Sequence, residues 1–300
     1  MTRARLEVLL AAVLFGTTGT ALALGPDSAS PLGVGAARIV VGGALLAALA
    51  AATGSLRGPW PLGFVLCAGV GVAVYQLSFF EAVDRTGVAI GAIVAIGSGP
   101  VFVGVFERLV DGVWPGRRWA VATAIATAGV GLLTVSGVDG ASADVAGIGL
   151  ALVAGAGYAT YTVIAKRLIR AGQAPVGVMG ISFGTAAILL IPVLIGAGTG
   201  WLGSGSGIAV ALYLGIFPTA ASYVLFARGL THLPASEVAT LVLAEPLTAT
   251  ALGVLALDEV FGALDAAGAV LVLAALAILG AAGWLIGSSG VAGGDHDQAA

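Results

Sequence analysis

The sequence has very little charge for its length. Lysine, arginine, aspartate and glutamate together make up 9% of its 300 residues, whereas an ordinary soluble domain carries about 25%. Hydrophobic residues make up 59%, and glycines number 48. So few charges cannot cover the water-facing surface of a chain this long, and a soluble enzyme is therefore excluded. The composition predicts an integral membrane protein.

Cysteine, histidine and clustered positive charge are also scarce. A single cysteine, Cys67, cannot form an intrachain disulfide, and two histidines, His232 and His296, are too few for a metal cluster. The net charge of −3 leaves no basic stripe of the kind that binds nucleic acid. No P-loop motif for ATP is present either. We therefore expect no metal, no cofactor and no nucleic-acid partner.

Ten long apolar runs take up most of the chain. A helix needs about 20 apolar residues to cross a bilayer. The runs of about this length are 6–24, 32–52, 62–83, 88–110, 119–136, 147–165, 176–197, 208–227, 235–257 and 264–286. The sequence therefore predicts an all-α integral membrane protein with ten transmembrane helices in contact with lipid. The polar tail at 288–300 is predicted to be disordered.

Positive charge lies mostly on one side of these runs. If the N-terminus is cytoplasmic, ten of the 12 lysines and arginines fall in cytoplasmic segments, Arg85 falls in an outer segment and Arg38 lies inside a run. Lysine and arginine favour the cytoplasmic side of a membrane. We therefore expect both termini in the cytoplasm and a bacterial-type cytoplasmic (inner) membrane as the location.

The two halves of the sequence resemble each other. The segment at 31–34 (PLGV) recurs at 175–178 (PVGV), and Pro100 recurs as Pro246, with offsets of 143 to 146 residues over five runs. Chance similarity between helices rich in alanine, glycine and valine is the alternative explanation. Because five is odd, a second five-helix unit enters the membrane in the opposite direction. We expect two inverted repeats, 1–140 and 141–287, which are typical of secondary transporters.

Several motifs spread over residues 6–286 carry a family resemblance. They are Phe15-Gly16-Thr17, Pro31 followed by Arg38, the segment at 158–163 (YATYTV) before Lys166, Ala244-Glu245-Pro246-Leu247, and Asp258-Glu259. With these motifs the chain resembles the EamA-type permeases of the drug/metabolite transporter superfamily. The family has an acidic residue after the fourth helix, the counterpart of Glu259. In this sequence that position falls near Asp111-Gly112, and the resemblance of this loop is poorer.

The resemblance implies two five-helix repeats around a central cavity and a transporter that moves small metabolites, commonly outward, without ATP. An exporter of amino acids or related compounds, working by alternating access, is the first hypothesis, and a drug or toxic-compound efflux permease is the alternative. A membrane scaffold or receptor leaves the paired prolines and Glu245 unexplained. An intramembrane enzyme is poorly supported, because the GxSxG pattern at 180–184 lies in an apolar helix rather than at a strand-to-helix turn.

Pro100 and Pro246 lie in the middle of the fourth and ninth runs. A proline lacks the backbone N–H and frees the carbonyl four residues earlier. Interrupted helices at matching positions of two repeats are typical of transporter binding sites. We therefore predict that both prolines are hinges, with simple helix kinks as the alternative.

Arg38 and Glu245 lie well inside apolar runs, where a charge at the helix centre costs about 2.5–3.5 kcal/mol on insertion scales. Glu245 is a candidate for carrying a coupling proton, for binding a substrate amine or for accepting a hydrogen bond from a neighbouring helix. Arg38 can snorkel outward, pair with Glu81 or Glu245, or bind a substrate carboxylate.

Aromatic and hydroxyl side chains share helical faces with these charges. The candidate cavity residues are Phe15, Thr18, Arg38, Tyr75, Gln76, Phe79, Ser98, Tyr158, Tyr161, Thr162, Ser222, Tyr223 and Glu245. Such a lining suits small zwitterionic or weakly polar substrates such as amino acids, although bonds between helices use the same residue types. Protons are the candidate coupling ion, and one ten-helix chain can enclose a cavity as a monomer.

The first testable prediction concerns orientation. In a Cys67→Ala background, we expect a membrane-impermeant maleimide added to intact cells to label Ser142→Cys and to leave Gly172→Cys unlabelled. The reason is that the charge asymmetry places the loop at 142 outside and the loop at 172 inside. Labelling at position 172 with position 142 silent would reverse the predicted topology.

Overall fold

The computed structural model describes residues 2–135 and 144–280, without the side chains of Val88 and Ala89. These residues contain ten helices long and apolar enough to cross a membrane. They are α1 (Arg3–Ala23), α2 (Pro31–Ala52), α3 (Leu62–Gly87), α4 (Ile90–Asp111), α5 (Arg117–Val135), α6 (Val145–Arg170), α7 (Pro175–Gly196), α8 (Gly205–His232), α9 (Ala235–Ala256) and α10 (Ala263–Gly280). The prediction of ten transmembrane helices is confirmed. Ser142, His296 and the predicted tail at 288–300 lie outside the described residues.

Helix ends follow local sequence signals. The Ser30 side chain accepts a hydrogen bond from the Gly33 N–H at 3.1 Å, and Pro31 occupies the first position of α2. The connection between α3 and α4 is a single break at Gly87, where φ is 81°. Glycine adopts a positive φ without the strain that a side chain would add, so α4 follows α3 with almost no loop.

Two helices run farther than the apolar runs predicted. The run at 147–165 lies in a helix that continues to Arg170, and the run at 208–227 lies in one that continues to His232. Charged residues end an apolar run, but arginine and lysine are good helix formers. Basic side chains in the last turn also complement the negative end of the helix dipole. Lys166 and Arg228 therefore lie on helices rather than in loops.

The helices pack with two-fold pseudo-symmetry. Helix α2 packs against α7 and α5 against α10, while α1 contacts α8 and α9 as α6 contacts α3 and α4. If the first five helices are exchanged with the last five, the α2–α7 and α5–α10 pairs stay the same and the contacts of α1 become those of α6. Arg5, near the start of α1, and Arg170, at the end of α6, line the same cavity. The equivalent helices α1 and α6 thus run in opposite directions, as two inverted five-helix units require. We call the end that carries Arg5 and Arg170 the arginine-rich end.

Glycines let the helix pairs on the pseudo-symmetry axis approach closely. A Cβ atom added to Gly129 of α5 would lie 2.8 Å from the carbonyl oxygen of Gly268 in α10, and one added to Gly268 would lie 2.7 Å from the carbonyl oxygen of Gly129. A Cβ on Gly180 of α7 would lie 2.8 Å from the Leu46 carbonyl oxygen of α2. Small residues allow such close approach between membrane helices.

The second prediction tests the α5–α10 crossing. Replacing Gly129 by leucine should lower the free energy of unfolding by about 1–3 kcal/mol, the usual cost of overpacking. Gly131→Leu on the same helix is the matched control, because nothing lies within 4 Å of a Cβ at that position. Thermal unfolding in detergent measures both variants. Equal melting temperatures for the two would contradict the close crossing.

Candidate functional site

Helix α9 is interrupted next to Glu245. Its first segment, Ala235–Val242, is separated from its second segment, Glu245–Ala256, by a turn at Leu243 and Ala244. Pro246 occupies the first turn of the second segment, where its missing N–H disrupts no helical hydrogen bond. Glu245 therefore lies at a helix N-terminus in the middle of a membrane span, where the helix dipole favours a carboxylate.

The equivalent helix of the first repeat is not interrupted. Helix α4 is continuous through Pro100. The repeat offset places Gly99 where the second repeat has Glu245, and a Cβ on Gly99 would lie 3.2 Å from Cδ1 of Tyr158. The two repeats thus differ at matching positions, with an intact helix packed on a tyrosine in one and an interrupted helix with a carboxylate in the other. The hinge role of both prolines stays a prediction.

An aromatic cluster joins the two repeats. The ring centroid of Tyr223 lies 5.0 Å from that of Phe15 and 6.1 Å from that of Tyr161. The Tyr158 ring lies 5.3 Å from Tyr161 and 6.1 Å from Tyr75. Three further rings extend the cluster: Phe79, Phe183 and Phe226. The structure therefore brings together six of the predicted cavity residues, which come from α1, α3, α6 and α8.

A buried hydrogen bond and an extra ring hold this cluster in place. The hydroxyl oxygens of Tyr161 and Tyr223 lie 3.1 Å apart, and the Phe183 ring lies 4.0 Å from Tyr223. Phe183 was not predicted from the sequence. Its only signal was its position in the glycine-spaced segment at 180–184, which packs α7 closely against α2.

Glu245 and Arg38 lie beside the aromatic cluster. Glu245 is within electrostatic range of Arg38 and of Tyr75, Tyr158 and Tyr223. Within residues 2–135 and 144–280, neither charged side chain forms an ion pair. An Arg38–Glu81 pair is not formed in this structure, where Glu81 binds Arg85 on its own helix at 2.7 Å. Two opposite charges are therefore held near each other without being joined.

Several buried polar atoms near the centre of the bundle have no hydrogen-bond partner among the described residues. They are Arg38 Nε, Gln76 Nε2, Tyr158 Oη, Thr162 Oγ1 and Ser182 Oγ, of which the Tyr158 and Thr162 hydroxyls face each other at longer range. Buried polar groups in proteins are nearly always hydrogen-bonded. These atoms can therefore bind a polar ligand. Four of the five were predicted as cavity residues, and Ser182 was not.

The remaining predicted residues are placed differently. Ser222 is fully buried and donates to the Thr219 carbonyl of its own helix at 3.2 Å. Ser98 packs against Gly155 of α6 and donates to the Ala95 carbonyl at 3.3 Å. Thr18 is half-buried on α1. The hydroxyls of Ser98 and Ser222 thus bond within their own helices.

Helix α8 contains a π-helical turn at Ile216–Ala221, directly before Ser222 and Tyr223. Thr219 Oγ1 donates to the Leu214 carbonyl five residues earlier, at 2.8 Å. The sequence did not predict this turn, although Pro218 inside the eighth run was a signal for it. Such turns often lie at functional sites, and this one ends two residues before Tyr223.

Comparison with known proteins gives a consistent picture. The model of the EamA-like transporter family matches residues 3–135 and again residues 145–281. An uncharacterized transporter of Bacillus subtilis, YwfM, is 42% identical over 280 residues, which cover 92% of this chain and 93% of that protein. The threonine/homoserine exporter RhtA of Salmonella typhimurium is 31% identical over 266 residues, 84% of this chain and 83% of that protein.

The fold itself also has a counterpart among solved structures. One crystal structure matches with a TM-score of 0.77 at 22% sequence identity, over 92% of this chain and 96% of that chain. At this identity the likeness concerns the fold alone.

The third prediction tests the interruption of α9. Pro246→Ala restores the N–H that a continuous helix would bond to the Val242 carbonyl, a bond worth about 0.5–1.5 kcal/mol. The substitution should therefore favour closing of the interruption, stiffen α9 and reduce substrate flux. Pro100→Ala should also reduce flux, but less, because α4 is already continuous. Flux in proteoliposomes and melting in detergent measure the effects. Pro192→Ala in α7, also a helix-interior proline, is the control expected to keep wild-type flux. Full flux in folded Pro246→Ala protein would exclude a hinge here.

Proposed function

The chain belongs to the EamA-like transporter family, and from this premise we propose that it exports small amino acids or related zwitterions. Family membership makes it a multi-pass membrane transporter of small molecules rather than an enzyme. The proposal adds the substrate class, the outward direction and the cytoplasmic membrane. It also adds alternating access of the two inverted repeats around the site between Arg38 and Glu245.

The observation that carries the proposal is the separated pair of opposite charges. Arg38 and Glu245 lie within electrostatic range of each other and have no ion-pair partner in the described part of the chain. An α-amino acid presents a carboxylate and an ammonium group a few atoms apart. Arginine binds carboxylates through charge-assisted hydrogen bonds, and a glutamate attracts an ammonium group. The pair therefore matches a zwitterion at both ends.

Neutral polar groups support a small, weakly polar side chain on the substrate. Gln76, Tyr158 and Ser182 contribute buried donors and acceptors without adding charge. A phosphorylated substrate would need two or more converging cations. Arg38 provides one cation beside the aromatic cluster. The relatives named threonine/homoserine exporters support hydroxyl-bearing amino acids as the first compounds to test.

Glu245 also supports a role for protons. Only the ionised carboxylate attracts an ammonium group, so a proton and the substrate amine compete for this residue. Each conformation of the transporter then carries either substrate or proton at Glu245. We propose that inward movement of protons drives outward movement of the amino acid.

A drug efflux permease is the second candidate, and the aromatic cluster favours it. Rings from α1, α3, α6, α7 and α8 provide an apolar surface on which a flat, lipophilic cation can stack. The two candidates differ in their need for Arg38, because a lipophilic cation has no carboxylate to bind.

The direct test is flux in proteoliposomes. Vesicles loaded with labelled threonine should release it faster with the protein than without it, and an inward proton gradient should increase the rate. Efflux of a lipophilic cation with no flux of threonine, homoserine or other amino acids would support the drug permease and refute the proposal.

The fourth prediction separates substrate binding from packing. Glu245→Gln keeps the shape of the side chain but removes its charge, and hydrogen bonds to charged groups are worth about 1.5–3 kcal/mol. The apparent affinity for the amino acid should therefore fall about 10- to 100-fold, and the proton dependence of transport should disappear. Arg38→Gln should weaken affinity to a similar extent but keep the proton dependence.

The matched control is Glu81→Gln, because Glu81 is an exposed partner of Arg85 on the same helix. Its affinity and proton dependence should equal those of the wild type. A folded Glu245→Gln variant with unchanged affinity and unchanged pH profile would place the substrate elsewhere.

A further inference from the structure

Ion pairs between the two repeats close the arginine-rich end of the bundle. Arg5 Nε of α1 lies 2.6 Å from Glu237 Oε1 of α9. Arg170 Nη1 of α6 lies 2.5 Å from Oδ2 of Asp111, the last residue of α4. Each pair joins one residue of the first repeat to one of the second. In this conformation the two repeats are therefore tied together at this end.

Glu107 also joins the two repeats, through hydrogen bonds that are more buried than the ion pairs. It lies on the last turns of α4, is 6% exposed, and accepts hydrogen bonds from the backbone N–H groups of Ala235 at 2.7 Å and Ser236 at 3.2 Å. These N–H groups belong to the first turn of α9, where no intrahelical acceptor is available. A carboxylate at this position also complements the positive end of the helix dipole.

The rest of the first α9 segment, Ala235–Val242, is held by the same repeat. Trp119 Nε1 of α5 donates to the Ser236 carbonyl at 3.1 Å. The hydroxyl oxygens of Thr123 and Thr240 lie 2.8 Å apart. Within this segment Glu237 alone is not buried, and its partner is Arg5. Helices α1, α4 and α5 of the first repeat thus surround a short helix of the second repeat.

This segment lies between a cavity and the interruption of α9. On one side is a cavity of about 310 Å³ at the arginine-rich end, lined by Arg5, Glu107, Trp119 and Ser236 among others. On the other side are the interruption of α9 and Glu245. Displacing the segment would join this cavity to the surroundings of Glu245. The turn at Leu243 and Ala244 is the place where it can bend.

The residue of the second repeat that is equivalent to Glu107 carries no carboxylate. The offset of 146 residues that relates Pro100 to Pro246 also relates Glu107 to Gly253. A glycine has no side chain that can cap α4 in return. The carboxylate of Glu259 occupies the space that a side chain at Gly253 would fill. The Glu107 side chain itself is thus particular to the first repeat.

We infer that Glu107 is a positioning residue that holds Ala235–Val242 as a gate between the candidate site and the arginine-rich end. Opening this end requires the gate to leave Glu107, which then loses both N–H donors. The carboxylate makes the closed state more stable than it would otherwise be. The inference requires a transporter, which family membership provides, but it does not require an amino-acid substrate.

The test measures the distance between the repeats at the arginine-rich end. In a Cys67→Ala background, spin labels are attached at Val113→Cys, after α4, and at His232→Cys, at the end of α8; both positions are exposed. If the gate is closed, the two spin labels should show a single short distance in protein that carries no further substitution. Adding Glu107→Ala or Glu107→Gln should add a longer distance, with the ratio of open to closed molecules raised about ten-fold or more.

Two further variants keep the result interpretable. Ser236→Pro removes one of the two N–H donors at a first-turn position that tolerates proline, and it should shift the distance in the same direction. Glu7→Gln is the matched control, because Glu7 pairs with Arg3 within α1 and bridges no repeats. It should leave the distance unchanged.

An unchanged distance in folded Glu107→Gln and Ser236→Pro proteins would overturn the gate. A shifted distance with no amino-acid flux would retain the gate and refute the proposed substrate class. Amino-acid flux with an unchanged distance would refute the gate and retain the proposed substrate class.

Discussion

The core of a bilayer contains no water to bind backbone N–H and C=O groups, and the interruption of α9 has to satisfy this constraint inside the protein. Pro246 contributes no N–H, and tight turns through Leu243 and Ala244 use the neighbouring carbonyl groups. Helix α1 closes one side: a Cβ on Gly16 would lie 2.6 Å from the Glu245 carbonyl oxygen. Because the break is enclosed by protein, a carboxylate can lie at the middle of the span.

The break also lies between the two ends of the proposed transport path. The segment before it is held by Glu107 and its neighbours at the arginine-rich end, and the segment after it begins with Glu245 beside the aromatic cluster. Movement of the first segment about Leu243 and Ala244 therefore changes the surroundings of Glu245. This gives the proposed proton and substrate exchange a physical link to the opening of one end. The two repeats share the same helix arrangement by pseudo-symmetry. They differ at the equivalent positions Gly99 and Glu245, and this difference would give them different roles.

Much of this arrangement could be predicted from the sequence. Apolar runs fix the ten helices, and the repeat offset fixes which helices are equivalent. Helical spacing also groups Tyr158, Tyr161 and Thr162 on one face. Glu107 could not be predicted, because a glutamate near the end of an apolar run is typical of the membrane interface. Its partner Ala235 is 128 residues away. The continuity of α4 through Pro100 could not be predicted either, because the effect of a proline on a helix depends on the helices packed around it.

The most direct test of the account is a structure of the protein with threonine bound. The account predicts ligand density between α2 and α9, with the carboxylate at Arg38 and the ammonium group at Glu245. It also predicts that tyrosine rings of the aromatic cluster surround the remainder of the ligand. Density outside this region, or a direct Arg38–Glu245 ion pair that leaves no room for a ligand, would contradict it.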